Sequence, residues 1–138
     1  MWAMSDSTAT TLLGFYDALL ARFGPQAWWP SATGPFEVIV GAVLTQNTNW
    51  GNVEKALARL RAAGVLEPHA LAALPIDRLA ELIRPAGYYN IKARRLTNLL
   101  GWMIEQFDGD IERMKRVGPD AMRRMLLEVN GIGPETAD

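Results

Sequence analysis

The chain has 138 residues, of which 49% are hydrophobic, and its 14 basic and 15 acidic side chains leave a net charge of −1. This is room for one ordinary domain with a packed core, and the near-neutral balance does not by itself advertise a polyanionic partner. With no cysteine and a single histidine, His69, in a loop-like stretch, the residues offer no disulfide, no thiolate zinc site and no iron–sulfur ligation.

The opening "MWAMSDSTATT" lacks a basic start and a long apolar run, so no signal peptide is read there and a cytoplasmic protein is expected. Leu12, Phe15, Tyr16, Leu19 and Phe23 then recur at three- and four-residue steps, giving an amphipathic helix that Gly24-Pro25 ends. "PFEVIVGAVLTQ" follows, with Pro35 suited to a first helical turn. Its β-branched residues also suit a strand, but no partner strand is evident, so a buried helix is expected. The apolar run Val38 to Leu44 is too short to cross a membrane. Val53, Ala56, Leu57 and Leu60 mark the next helix, which stops near Gly64. "PIDRLAELIRPAG" reads as a short helix. Asn90 is placed as the N-cap of a long helix with Leu96, Leu99, Leu100, Met103 and Phe107 on its inner face. Asp108-Gly109 breaks it, "DIERMKRV" makes another short helix, and Gly118-Pro119 starts one that runs to Val129. The expectation is about seven short helices joined by tight turns, an all-α arrangement without repeats.

Eight of the basic residues fall between Lys92 and Arg124, against five acids in that span. Such a local surplus is either a solvated helix face or a phosphate-facing patch. The closing "LLEVNGIGPETAD" places Gly131-Ile132-Gly133 between two helices. Glycines there permit a tight turn and leave backbone N–H groups uncovered, and Pro134 opens a helix whose amino end favours an anion. Ile132 is expected to tuck inward and lock the two helices. A plain αα-corner explains the same residues.

Three segments together resemble one family. "LLEVNGIGPETAD" is similar to the helix-hairpin-helix of the endonuclease III superfamily of DNA glycosylases, "GYYNIKARRL" to its Gly-x-Tyr-Asn-x-Lys-Ala segment, and "FEVIVGAVLTQNTNWGNVEKAL" to its early core helix and DNA-reaching turn. The order and spacing are the family's, over roughly residues 10 to 138. "FGPQAWWP" with "LTQNTNW" further resembles the 3-methyladenine DNA glycosylase III branch.

The resemblance implies a helix-hairpin-helix glycosylase fold. Residues 1–24 would be an N-terminal helix packing on the core. Residues 25–138 would be a six-helix domain ending inside the helix-hairpin-helix, at about 118–138. It implies a base-excision repair enzyme acting as a monomer on double-stranded DNA with a damaged or abasic site, in a bacterial-type cytoplasm at the nucleoid. In bifunctional members a lysine two residues after the second hairpin glycine attacks the sugar. Glu135 stands there instead and cannot form a Schiff base, so a monofunctional glycosylase removing alkylated purines such as 3-methyladenine is implied.

Trp28, Trp29 and Trp50 match the aromatic walls of that branch's base pocket, where a cationic base stacks well. Trp28 and Trp29 also suit a plug beneath the first helix. At the turn after the core helix, Asn47, with Gln46 beside it, matches the amide that enters the gap left by a flipped nucleotide. Capping or bonding to a neighbouring loop is the other reading. Lys92 falls on the family's lysine, to contact DNA or to pack its stem; Tyr88, Tyr89 and Asn90 suit a turn better than a DNA contact. Gly131, Ile132, Gly133, Glu135 and Thr136 fall on the DNA-gripping hairpin. Backbone carbonyls of Leu127, Val129 and Ile132 match those that hold a monovalent cation when DNA is bound.

The family's catalytic aspartate is expected beyond residue 138, as is the cysteine cluster that holds a 4Fe-4S group in many relatives. The chain alone is therefore expected to be inactive. Alternatives are an endonuclease III-like pyrimidine or mismatch glycosylase and a non-catalytic DNA-binding module. Cut there, Leu126, Ile132 and the inner face of the 90–107 helix are expected to be exposed.

Overall fold

A computed structural model describes residues 6–26 and 34–138. Residues 1–30 and 31–138 form two compact units. In the first, helix α1 (Asp6–Phe23) carries the predicted apolar stripe. Its end is closed by the Gly24 amide on the Leu20 carbonyl, 2.8 Å, and by the Gln26 side-chain amide on the Phe23 carbonyl, 3.0 Å.

The second unit is helical throughout. Its elements are α2 (Pro35–Leu44), α3 (Trp50–Ala62), α4 (Pro68–Ala73), α5 (Ile76–Leu82), a 3-10 turn (Arg84–Ala86), α6 (Tyr89–Phe107), α7 (Ile111–Lys115), α8 (Pro119–Leu127) and α9 (Pro134–Ala137). Among the described residues there is no strand. The β-branched run of α2 folds as the buried helix expected, with Phe36, Val40, Val43 and Leu44 inside. Nine helices are found among the described residues rather than about seven. One that was overlooked is α4, although Glu67 caps the Ala70 amide and Pro68 occupies the first turn, both legible starts. His69 therefore lies on a helix and not in a loop. Its Nε2 is 2.8 Å from the Asp108 carbonyl, pinning α4 to the end of α6.

Two further expectations are corrected. Asn90 is not the N-cap of α6; the helix starts at Tyr89, and Tyr88 precedes it in the left-handed conformation with φ 46° and no side-chain cap. Nor is the inner face of α6 exposed. Leu96, Leu99, Leu100, Met103 and Phe107 are buried, because α2, α4 and α5 pack across them. Ile132 is 6% exposed and belongs to the same core, while Leu126 is half-buried.

Candidate nucleic-acid interface

The hairpin is built as its sequence suggests. Helix α8 ends at Leu127, and the Val129 carbonyl accepts from the Ile132 N–H at 3.1 Å. Gly131 reverses the chain at φ 98°. Gly133 then caps α9, whose Ala137 amide reaches back to the Gly133 carbonyl at 3.0 Å. Ile132 points inward between the two glycines, as expected.

The glycines differ in what they require. A Cβ on Gly131 would lie 2.4 Å from Arg95 Cγ and 3.0 Å from Arg95 Cβ. Both the positive φ and the arginine stem exclude a side chain there. Gly133 has an ordinary φ of −92° and nothing within 4 Å of an added Cβ. The fold does not need glycine at 133, and the backbone there is open to an approaching group.

Lys92, Arg95 and Asn98 project from α6 at three-residue steps and hold the surrounding turns. The Lys92 Nζ donates to the carbonyls of Leu44 and Ala86, both at 2.8 Å. It is 1% exposed, so the predicted DNA contact of Lys92 is corrected: the amine closes the end of α2 onto the 3-10 turn and does not face a ligand. Burial, helped by the neighbouring Arg95 charge, lowers its pKa from 10.5 to about 8. Arg95 Nη1 donates to Gln46 Oε1 at 2.6 Å. The Asn98 side-chain amide donates to the Asn130 carbonyl at 3.3 Å.

The paired amides after α2 separate in role. Gln46 Nε2 donates to the Gly131 carbonyl at 3.1 Å and to Thr136 Oγ1 at 3.0 Å, so it bonds a neighbouring loop. Asn47 sits at φ 54° on the tip of the turn and is exposed. Asn is the side chain best suited to that conformation after glycine. Trp50 is half-buried in the first turn of α3, which Asn49 caps by accepting from the Asn52 amide at 3.1 Å. Trp28 and Trp29 lie outside the described residues. Glu135 is exposed on α9.

Tyr88 was read as a turn former. It does form the turn, yet it is 61% exposed in a left-handed conformation, and Lys92 holds the adjoining Ala86 carbonyl beside the end of α2. Nothing in the sequence signals a positive φ at a tyrosine.

The basic surplus shrinks in three dimensions. Lys92 is buried, Arg95 is engaged by Gln46, and Arg113, Lys115 and Arg123 pair with Asp110, Glu112 and Asp138. A groove of about 670 Å³ runs between α6 and α8, lined by Trp102, Glu105, Met125 and Asn130 among others, and Trp50 does not line it. No cluster of metal-ligating side chains occurs among the described residues.

The hairpin thus carries a buried isoleucine and a bare second glycine, and the amide-tipped turn is tied to the same helix. Residues 40–123 match the model of the HhH-GPD superfamily of base excision DNA repair proteins. The chain belongs to this family. It is 43% identical over 137 residues to a protein of Methanocaldococcus jannaschii named as a DNA repair glycosylase, covering 98% of the chain and 61% of the relative. It is 32% identical over 106 residues to endonuclease III of Thermotoga maritima, covering 77% of the chain and 46% of the relative. Among solved structures, H. pylori 3-methyladenine DNA glycosylase bound to 1,N6-ethenoadenine superposes with a TM-score of 0.75 at 37% identity, over 94% of this chain and 60% of that one. A trapped endonuclease III–DNA covalent intermediate superposes with a TM-score of 0.74 at 27% identity, over 94% of this chain and 57% of the other. This HhH-GPD chain thus spans about half to three-fifths of the length of the relatives it matches.

Proposed function

We propose that these residues form the DNA-gripping and part of the base-pocket portion of a monofunctional base-excision glycosylase acting on alkylated purines. The observation that carries this reading is Glu135. It occupies the place of the lyase lysine, and a carboxylate forms no Schiff base with the abasic sugar. The likeness to a 3-methyladenine DNA glycosylase solved with 1,N6-ethenoadenine supports the substrate class.

In this reading the enzyme unstacks the damaged nucleotide and holds its base outside the duplex. The hairpin backbone at Ile132 and Gly133 meets the DNA phosphate. Asn47 fills the vacated stack, and Tyr88 wedges alongside from the turn that Lys92 holds against α2. Trp50 forms an aromatic wall on which a positively charged base stacks. The family's monovalent cation would sit on the carbonyls of Leu127, Val129 and Ile132. The residues fit it: the Val129 oxygen accepts a single N–H from Ile132 and keeps a lone pair, whereas the Asn130 and Gly131 oxygens are engaged by Asn98 and Gln46. Such an ion neutralises phosphate charge beside the hairpin.

In this reading base release is driven by a carboxylate that stabilises the sugar cation. The test is a duplex carrying a natural, aldehydic abasic site, set beside duplexes carrying 3-methyladenine or 1,N6-ethenoadenine. Binding to the abasic site without a borohydride-trappable adduct is the expected result. A covalent adduct overturns the monofunctional reading and favours the endonuclease III-like alternative, for which the Thermotoga maritima relative speaks.

A further inference from the structure

We propose that Gln46 is a positioning residue, a latch that makes the Asn47 turn and the hairpin one rigid unit, so that phosphate held by the hairpin sets where Asn47 enters the duplex. The inference rests on the DNA-binding reading above and goes beyond it by joining its two contact points. The two loops lie 85 or more positions apart in sequence, and the Gln46 amide crosses between them. Both of its N–H groups are used, one on the Gly131 carbonyl and one on Thr136 Oγ1. Its oxygen accepts from Arg95. A side chain so engaged would break three hydrogen bonds to enter DNA, whereas Asn47 is exposed with none of these ties.

The clamp is braced from α6. The Arg95 stem fills the space that a side chain at 131 would need. One turn earlier Lys92 holds the Leu44 carbonyl, and one turn later Asn98 holds the Asn130 carbonyl. The spacing of 92, 95 and 98 puts all three on one face of the helix. The turn and the hairpin are thereby fixed to the same rigid element, with Gln46 as the direct strut between them.

The experiment measures the affinity of the full chain for a duplex with a tetrahydrofuran abasic analogue and for the same intact duplex. The reporter is 2-aminopurine opposite the gap. The wild-type chain is expected to prefer the gapped site and to change the 2-aminopurine fluorescence. Gln46→Met, which keeps the length but loses the three bonds, is expected to bind intact duplex within about twofold of wild type while its preference drops about tenfold and the fluorescence change disappears, a loss in the range of coupled-site effects. Thr136→Val removes one acceptor and reads the same ratio with little strain on folding; a smaller drop is expected. A gapped-site preference retained within about twofold in both variants overturns the latch. Failure of the wild-type chain to bind either duplex overturns the DNA-binding reading itself, and the latch with it.

Discussion

Replacing Gly131 by alanine tests how the hairpin is held. At φ 98° an L-residue pays about 1–2 kcal/mol for the left-handed conformation. The new methyl would stand 2.4 Å from Arg95 Cγ, on the stem and not at a flexible tip. Arg95 must then swing away and lose its bond to Gln46, a charge-assisted contact worth about 1.5–3 kcal/mol. With partial relaxation the sum is roughly 3 kcal/mol, or about 9 °C in melting temperature for a chain of this length. Thermal unfolding followed by circular dichroism reads it. Arg95→Ala in the Gly131→Ala background removes the contacts with Cγ and Cδ and leaves only the Cβ at 3.0 Å, so the double variant should lose less than the two single losses added. Gly133→Ala is the control: with an ordinary φ and open space, it should leave stability unchanged or raise it by about 0.4–1 kcal/mol. It should nevertheless weaken duplex binding, because the methyl intrudes where a phosphate approaches. If Gly131→Ala melts within about 2 °C of wild type, the packing of Arg95 on the hairpin is not what holds it.

The buried Lys92 predicts a pH dependence. Its folded pKa of about 8 lies below the unfolded 10.5, so between these values the unfolded chain binds more protons and stability rises with pH, by up to about 3 kcal/mol from this group. Urea unfolding at pH 7.5 and 9.5 should show the gain, and Lys92→Met should abolish it; equal slopes in the two proteins would refute the assignment. Asn47→Gly keeps the left-handed backbone and removes the amide, so it should cost abasic-site affinity about tenfold with little change in melting temperature. An unchanged affinity removes Asn47 from the interface. In an active glycosylase containing these residues, Trp50→Ala should sharply lower release of 3-methyladenine, and undiminished release sinks the stacking role.

Much of the fold was legible because helices are local. Apolar residues at helical spacing located α1, α3, α5 and the inner face of α6, and Gly24-Pro25, Gly64, Pro85 and Asp108-Gly109 marked where they stop. The resemblance in three ordered segments reached the family before any coordinates. Helix starts were less legible: Tyr88 takes the left-handed turn that the sequence offered to Asn90 as a cap, since the 3-10 turn and Lys92 hold it there.

What the sequence determined by itself is therefore the helical class and the glycine hairpin, each written in contiguous residues. Only the tertiary structure decided between chemically similar neighbours. Lys92, Arg94 and Arg95 read alike as basic residues, yet the first is buried on two carbonyls, the second is exposed and the third covers Gly131. Gln46 and Asn47 read alike as amides, yet partners 85 and 90 positions away engage one and leave the other at the tip. A helix period tells which way a side chain points, but the atom it meets comes from another part of the chain, and that meeting sets its role.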